Sequence, residues 1–373
     1  FNFQNYLFGD IKISLDYIPY LANEFMPYII SFLGLTKKCI VVDLDNTLWG
    51  GIVGEDGFDG IRLGPQPPGN AFIEFQKYLK ALSQRGILLA INSKNNFDDA
   101  IQVIREHPFM ILKESDFSCI KINWNNKASN MQEISKELNI GLDSFVFFDD
   151  DPINRELIRE SMPEITTPEL PHDPSFYSEV IQSLHDFSTF QITSEDTNRG
   201  QMYLEQKQRT ESQNSTSDIS EFLKKLNLEI EIKKTNSFTI PRISQLTLKT
   251  NQFNLTTKRY HEDQIKKFSE DKNILIGCAQ IRDKFGDNGI TGVFIVEKTN
   301  YDEWFLDTFL LSCRVMGREA EKAILYFIIN EAKNNNIKRL KAKFIPTEKN
   351  KPIENFLPDC QFYKKDGIWI YNL

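Results

Sequence analysis

The sequence predicts two domains of different kinds: a doubly wound α/β unit on a mainly parallel sheet, then an α+β unit that is largely antiparallel. Three observations carry this. Between residues 39 and 156, short apolar runs alternate four times with segments of helical periodicity, and each run ends in polar residues. That is the pattern of strands joined by crossover helices. From about residue 228, alternating strand patterns follow one another, with Asp287-Asn-Gly289 as a hairpin signal. A chain of 373 residues also exceeds what one core ordinarily holds.

Residues 1–36 hold one helical stretch, Ile18 to Leu33, ending near Gly34. It reads as a packing helix, or the remnant of an upstream element. The start, Phe-Asn-Phe-Gln, has no initiator Met and no signal-peptide layout, so the chain reads as a piece of a longer one. The first domain is expected over 37–187. Cys39 to Val42 is a buried strand that delivers Asp43 and Asp45 to its end. A Gly- and Pro-rich insert to Gly69 forms at most a small flap. Phe72, Phe75, Leu79 and Leu82 lie at helical spacing, with Gly86 as the helix stop. Strands at Ile87 to Ile91, Ser118 to Ile122 and Ser144 to Phe148 follow, with helices over 98–105 and 128–138 between them.

Residues 188–221 form a polar connector, and the second domain is expected over 222–373, its apolar pattern beginning at Phe222 and Leu223. Strands are expected at 228–232, 275–283, 289–298, 304–313, 339–344 and 367–371, with helices over 243–249 and to about Ala332.

Composition narrows the function. The formal charge is -8 with no dense Lys/Arg block, which disfavours nucleic acid as a partner. No apolar run reaches membrane-spanning length. The five cysteines are odd in number and lack metal-like spacing, so neither a disulfide framework nor a zinc site is expected, and a cytoplasmic location follows.

Right-handed crossovers gather the four strand ends on one rim. They offer Asp43, Asp45 and Thr47, then Ser93, then Lys127, then Asp149 and Asp150. Phosphoryl transfer needs such a set. An ionised Asp43 can attack phosphorus. Asp45 can protonate the leaving oxygen and then activate water. Ser93 and Lys127 can hold phosphoryl oxygens, and the carboxylates suit Mg²⁺, which prefers oxygen ligands. Thr47, Asn92 and Asn95 are candidate substrate contacts. The alternatives are a simple small-molecule phosphatase whose second domain only binds substrate, and a non-catalytic scaffold for a carrier protein or pathway partner.

Asp43-x-Asp-x-Thr47, Ser93, Lys127 and Asp149-Asp150 resemble the four motifs of the haloacid dehalogenase-like phosphotransferases. That resemblance implies a parallel sheet with a minimal cap, Asp43 as nucleophile and Asp45 as general acid/base. It also implies a Mg²⁺ site from Asp43, the backbone carbonyl of Asp45 and Asp149, with Asp150 behind or in place of Asp149. Asp43-Leu-Asp-Asn-Thr-Leu-Trp-Gly-Gly51, Asn92-Ser-Lys-Asn-Asn96, Lys121 to Lys127, Thr250 to Tyr260 and Asp307 to Arg318 resemble more narrowly the FkbH-like proteins. The resemblance implies a small phosphorylated metabolite as substrate, coupled to acyl transfer. Members in polyketide pathways load a glyceryl group onto an acyl carrier protein through a thiol. Others sit in surface-polysaccharide or amino-sugar pathways, which makes an amino-sugar the other expected acceptor. The resemblance places Cys before the second-motif Ser in loading members, whereas Asn92 stands there in this chain.

Arg314-Val-Met-Gly-Arg-Glu-Ala320 follows a strand and opens a helix, a place that suits phosphate. The element order resembles the Gcn5-related acyltransferase fold, which implies CoA or the phosphopantetheine arm of a carrier protein at Arg314, Gly317 and Arg318. Glu319 departs from that fold's signature, which has a small residue there. Cys313 is a candidate acyl acceptor beside the Arg314 cation, or a small core residue.

Overall fold

The computed structural model describes residues 3–10, 12–189, 192–214 and 224–373. The expected second-domain start at Phe222 and Leu223 lies outside the described residues. Two helices lead in, α1 (Phe3–Gly9) and α2 (Ile18–Phe32). α2 buries none of its residues and leaves Tyr20, Phe25 and Tyr28 exposed. It touches both domains: Asn23 Oδ1 lies 3.0 Å from His185 Nε2, and Phe32 stacks on the His261 ring at 3.9 Å.

The first sheet contains β1 (Cys39–Val42), β2 (Leu88–Ser93), β3 (Phe117–Ile122) and β4 (Phe145–Phe148) in the order β3-β2-β1-β4, all parallel. Every residue of β1, β2 and β4 is buried, which is why these strands are continuous apolar runs rather than alternating ones. Six helices accompany the sheet: α3 (Val53–Asp56), α4 (Gly69–Gln84), α5 (Phe97–Glu106), α6 (Lys127–Leu138), α7 (Pro152–Ser161) and α8 (Tyr177–Ser183). Ile40 and Val42 pack with Phe75, Leu79, Ile101 and Ile104 on one face. Cys39 and Val41 pack with Met131, Ile134 and Ile158 on the other. Each fully buried side chain of this size contributes about 1.5–3 kcal/mol. The insert after β1 is short: α3 and one antiparallel bridge, Gly50 to Arg62.

The connector contributes α9 (Ser194–Thr197) and α10 (Arg199–Asn214). It docks on the turn that ends α4. Gly86 has φ +91°, and a Cβ there would lie 2.1 Å from the Asp196 carbonyl oxygen. Glycine at this position therefore serves both the left-handed helix stop and the close approach of the connector.

The second domain comprises β5 (Glu229–Lys234), α11 (Ile240–Lys249), β6 (Phe253–Asn254), α12 (Glu262–Glu270), β7 (Ile274–Asp283), β8 (Gly286–Glu297), β9 (Glu303–Leu311), α13 (Ala320–Asn334), β10 (Arg339–Ala342), α14 (Phe356–Asp359), β11 (Tyr363–Lys365) and β12 (Ile368–Asn372). Its sheet runs β11-β12-β10-β9-β8-β7-β5 and is antiparallel except where β9 and β10 pair in parallel across α13. Those two strands pair only from Glu303 to Leu306 along β9. Beyond that, β6 takes the place beside β9: Leu255 N–H donates to Phe309 O (3.1 Å) and Ile345 N–H to Leu255 O (2.9 Å).

One turn differs from expectation. The β7–β8 hairpin turns at Lys284-Phe285, not at Asp287-Asn-Gly289. The Asp283 carboxylate fixes it by accepting the N–H groups of Phe285 (2.9 Å) and Gly286 (3.3 Å). Gly289, with φ +66°, lies within β8 beside a register shift, so the Asn-Gly signal marks a bulge. Among the described residues, no helix is long and apolar enough to cross a membrane.

Candidate active site

β1 carries its buried run straight into Asp43 at the carboxyl end of the sheet. Asp43 N–H still bonds Phe148 O (2.9 Å), so the residue is held by the sheet, as its buried side chain is by Lys127. β4 ends one residue before Asp149, whose side chain is also buried. α6 begins at Lys127, and Asn126 caps it by accepting Ala128 N–H at 2.7 Å. Three separate strand ends thus converge. Lys127 Nζ lies 2.7 Å from Asp43 Oδ1 and 2.9 Å from Asp149 Oδ2, and donates to Asn92 O at 2.6 Å. An ammonium has three donors, and here all three have partners.

Asp43, Asp149 and Asp150 each offer a carboxylate oxygen within 4.8 Å of the others. One ammonium does not balance three carboxylates. The imbalance shows in their protonation. Asp150 is pushed up to about 7, first by burial and then by the charges of Asp43 and Asp149. Asp149 is raised too, by burial and then by Asp43, with Lys127 opposing. Burial alone would lower Lys127, but Asp43 and Asp149 outweigh it and raise it. Asp43 Oδ1 and Asp149 Oδ2 are buried and face no partner but that ammonium. Hard oxygen donors with uncompensated negative charge fit a divalent cation such as Mg²⁺.

Asp45 is oriented differently. Its Oδ1 accepts Trp49 Nε1–H (2.8 Å) and Val53 N–H (3.1 Å), and its Oδ2 accepts Asn95 Nδ2–H (2.8 Å). Burial nevertheless raises its carboxyl above the ordinary range, against these bonds. Its side chain is outside the three-carboxylate cluster. Ser93 is the last residue of β2 and buried. Thr47 is fully buried, with its Oγ1 unpartnered.

The strand order, with acids after the first and fourth strands, decides the fold. The core sheet is haloacid dehalogenase-like. The second sheet, with one parallel β–α–β unit in an antiparallel frame, resembles that of the Gcn5-related (GNAT) acyltransferases. No family model matches the chain, and no curated protein matches it. Among solved structures, 51% of the chain is 43% identical to the N-terminal part of BF1531 from Bacteroides fragilis, containing a phosphatase domain complexed with Mg, at a TM-score of 0.48. The match covers 50% of that chain, so this chain spans about half the length of that relative. A GNAT-family acetyltransferase from Staphylococcus aureus Mu50 matches 39% of this chain and 99% of its own at 15% identity and TM-score 0.33. Rv2747 from Mycobacterium tuberculosis, solved with CoA and NLQ, matches 36% of this chain and 73% of its own at 15% identity and TM-score 0.29.

Several expected roles change. Asn92 is turned toward α6 in this structure: its Nδ2 donates to Lys127 O (2.9 Å) and its Oδ1 accepts Asn130 Nδ2–H (3.1 Å). It positions Lys127. Asn95 holds Asp45. Cys313 is not brought to the haloacid dehalogenase-like site. Asn139 Nδ2 donates to its carbonyl (2.9 Å), and it shares a cavity with Lys38 and Ser144, which precede β1 and β4. Lys38 and Asp43 flank the same strand, so roughly 16 Å of extended chain separates the two ends.

The helix start after β9 also departs from a phosphate cradle. Gly317 adopts φ +77°. Arg314 is turned toward Ser312 Oγ (3.4 Å), and Arg318 bonds Asp283 (3.0 Å) and Gln206. Glu319 and Glu321 occupy the start of α13, where their charge opposes an anion.

Arg155 escaped the sequence reading. Its buried guanidinium donates to Asp149 O (2.8 Å) and Asp150 O (2.7 Å) and pairs with Glu169 (2.8 Å). Its signal was position: Asp151 caps α7, Pro152 starts it, and Arg155 lies one turn in, facing back toward the acids.

Proposed function

We propose that this chain catalyses Mg²⁺-dependent phosphoryl transfer from a small phosphorylated metabolite through an aspartyl-phosphate on Asp43, in the manner of the FkbH-like proteins. The buried ammonium of Lys127 between Asp43 and Asp149, with Asp150 beside them, carries this reading. Asp43, Asp149, Asp150 and the Asp45 carbonyl would hold the metal. Bound Mg²⁺ would neutralise the carboxylates and the phosphoryl oxygens, which otherwise repel.

Asp43 attacks phosphorus, and the bond from phosphorus to the leaving oxygen breaks. Asp45, kept protonated to higher pH by burial, gives its proton to that oxygen. The Asp45 carboxylate then takes a proton from water, which attacks phosphorus, releases phosphate and restores Asp43. Lys127 holds and aims the Asp43 carboxylate, and Ser93 and Thr47 lie at the strand ends where phosphoryl oxygens would rest. Onward acyl transfer through Cys313 forms no part of this reading, because that thiol is at the opposite end of the sheet.

Phosphate release from a panel of phosphosugars and phosphoglycerates, with and without Mg²⁺, tests it. Mg²⁺-dependent turnover that Asp43→Asn abolishes supports enzymatic phosphoryl transfer. Equal release by Asp43→Asn contradicts Asp43 as the nucleophile, and no release from any substrate leaves the scaffold reading standing.

A further inference from the structure

A cavity of about 420 Å³ lies between the two domains, at the amino end of the parallel sheet. Its wall is assembled from segments far apart in the chain: Lys38 before β1, Arg199 on α10, Arg242 and Lys249 on α11, and Cys313 and Arg314 after β9. Five of these six side chains are cations.

Few carboxylates answer them. Arg199 pairs with Asp196, and Arg242 lies 4.0 Å from Glu195. On the rim, Asp143 is taken by Lys349, which leaves Glu348. Lys38 Nζ donates only to the Lys249 carbonyl (3.1 Å), and Arg314 Nε reaches only Ser312 Oγ (3.4 Å). Among the described residues, Lys249 Nζ has neither a hydrogen bond nor an ion pair. Burial and mutual repulsion weigh on the group. Lys249 is pushed down to about 8, by burial and then by Arg199, and Arg242 to about 9, by burial and then by Arg314. Uncompensated cations inside a protein are costly, and removing the cost requires negative charge in the cavity.

We propose that this interdomain cavity binds a small organic anion carrying a phosphate or carboxylate group, at a site separate from Asp43. The volume exceeds what one inorganic anion fills and is of the size that encloses a metabolite. Leu246 and Tyr203 supply apolar wall for its carbon body. The site needs both domains and the connector, so its ligand stabilises their docking.

The test uses the whole chain stripped of metal on a chelating resin and kept in Mg²⁺-free buffer without a soluble chelator, which disables the carboxylate site. Inorganic pyrophosphate and citrate are titrated in separate calorimetric arms. In parallel, iodoacetamide labelling of Cys313 is read by peptide mass spectrometry, with the equally half-buried Cys360 as control. Saturable binding is expected for at least one probe, with Cys313 protected as the probe saturates and Cys360 labelled at an unchanged rate. Pyrophosphate alone assigns a phosphate ligand, citrate alone a carboxylate. Lys249→Gln should weaken binding at least about tenfold, the loss of one charge-assisted hydrogen bond, without lowering thermal stability, since its ammonium has no partner to lose. Arg242→Gln should act in the same direction. Absence of saturable binding by both probes, binding that both variants leave unchanged, or Cys313 labelling unaffected at saturation overturns the proposal.

Discussion

Lys127 Nζ sits 2.7 Å from Asp43 Oδ1 and 2.9 Å from Asp149 Oδ2, with essentially no solvent exposure. The relationship joins the first, third and fourth strand ends into one charged unit. Replacing Lys127 by Ala leaves two buried carboxylates without their cation. The expected cost is about 3–5 kcal/mol of stability, read as a lowered midpoint in urea, together with loss of phosphate release. Lys127→Arg should not restore activity, because a planar guanidinium cannot place three donors as the ammonium does. A Lys127→Ala protein with wild-type stability and turnover would refute this role.

Metal should act on the same unit from the other side. Mg²⁺ is expected to raise the thermal midpoint, since it binds the folded cluster and not the unfolded chain. At a hundred times the dissociation constant the gain is about 2.7 kcal/mol. Asp149→Asn should remove most of that gain. A midpoint that ignores Mg²⁺ in the wild-type protein counts against the cluster as a metal site.

Asp283 offers a pH prediction away from the acids. Its fully buried side chain lies 2.7 Å from Arg209 of the connector and 3.0 Å from Arg318. Burial alone would raise its carboxyl, but the bond and charge of Arg209 outweigh burial and hold it below the ordinary range. A carboxyl lowered on folding adds stability above its unfolded value, about 3.9, and loses it as pH falls toward the folded value. Asp283→Asn should therefore be clearly destabilised at neutral pH, and the gap to wild type should narrow below about pH 4. Urea midpoints from neutral to acid pH measure this. A gap that widens in acid contradicts the assignment.

Much of the fold was legible because burial on both faces writes β1, β2 and β4 as plain apolar runs. Other features were hidden for specific reasons. β6 is two residues in a polar stretch, and only its place beside the diverging end of β9 makes it a strand. Asp287-Asn-Gly289 carries a stronger hairpin signal than Lys284-Phe285, yet the Asp283 carboxylate sets the turn. At the site, Asp43, Asp45, Lys127 and Asp149 stood out as polar residues at strand ends. Asn92 stood there too, but β2 continues to Ser93, which turns Asn92 inward to Lys127 and Asn130. The interdomain cavity left no motif, since its cations come from both domains and the connector.

The central claim is that Asp43 becomes phosphorylated. The direct measurement is acid quench of the protein within one turnover of a phosphorylated substrate and Mg²⁺, followed by peptide mass spectrometry. One phosphoryl group on the peptide bearing Asp43, labile to hydroxylamine and absent in Asp43→Asn, is the expected result. Turnover with no phosphoryl group on that peptide, or with the group on another residue, would contradict the account.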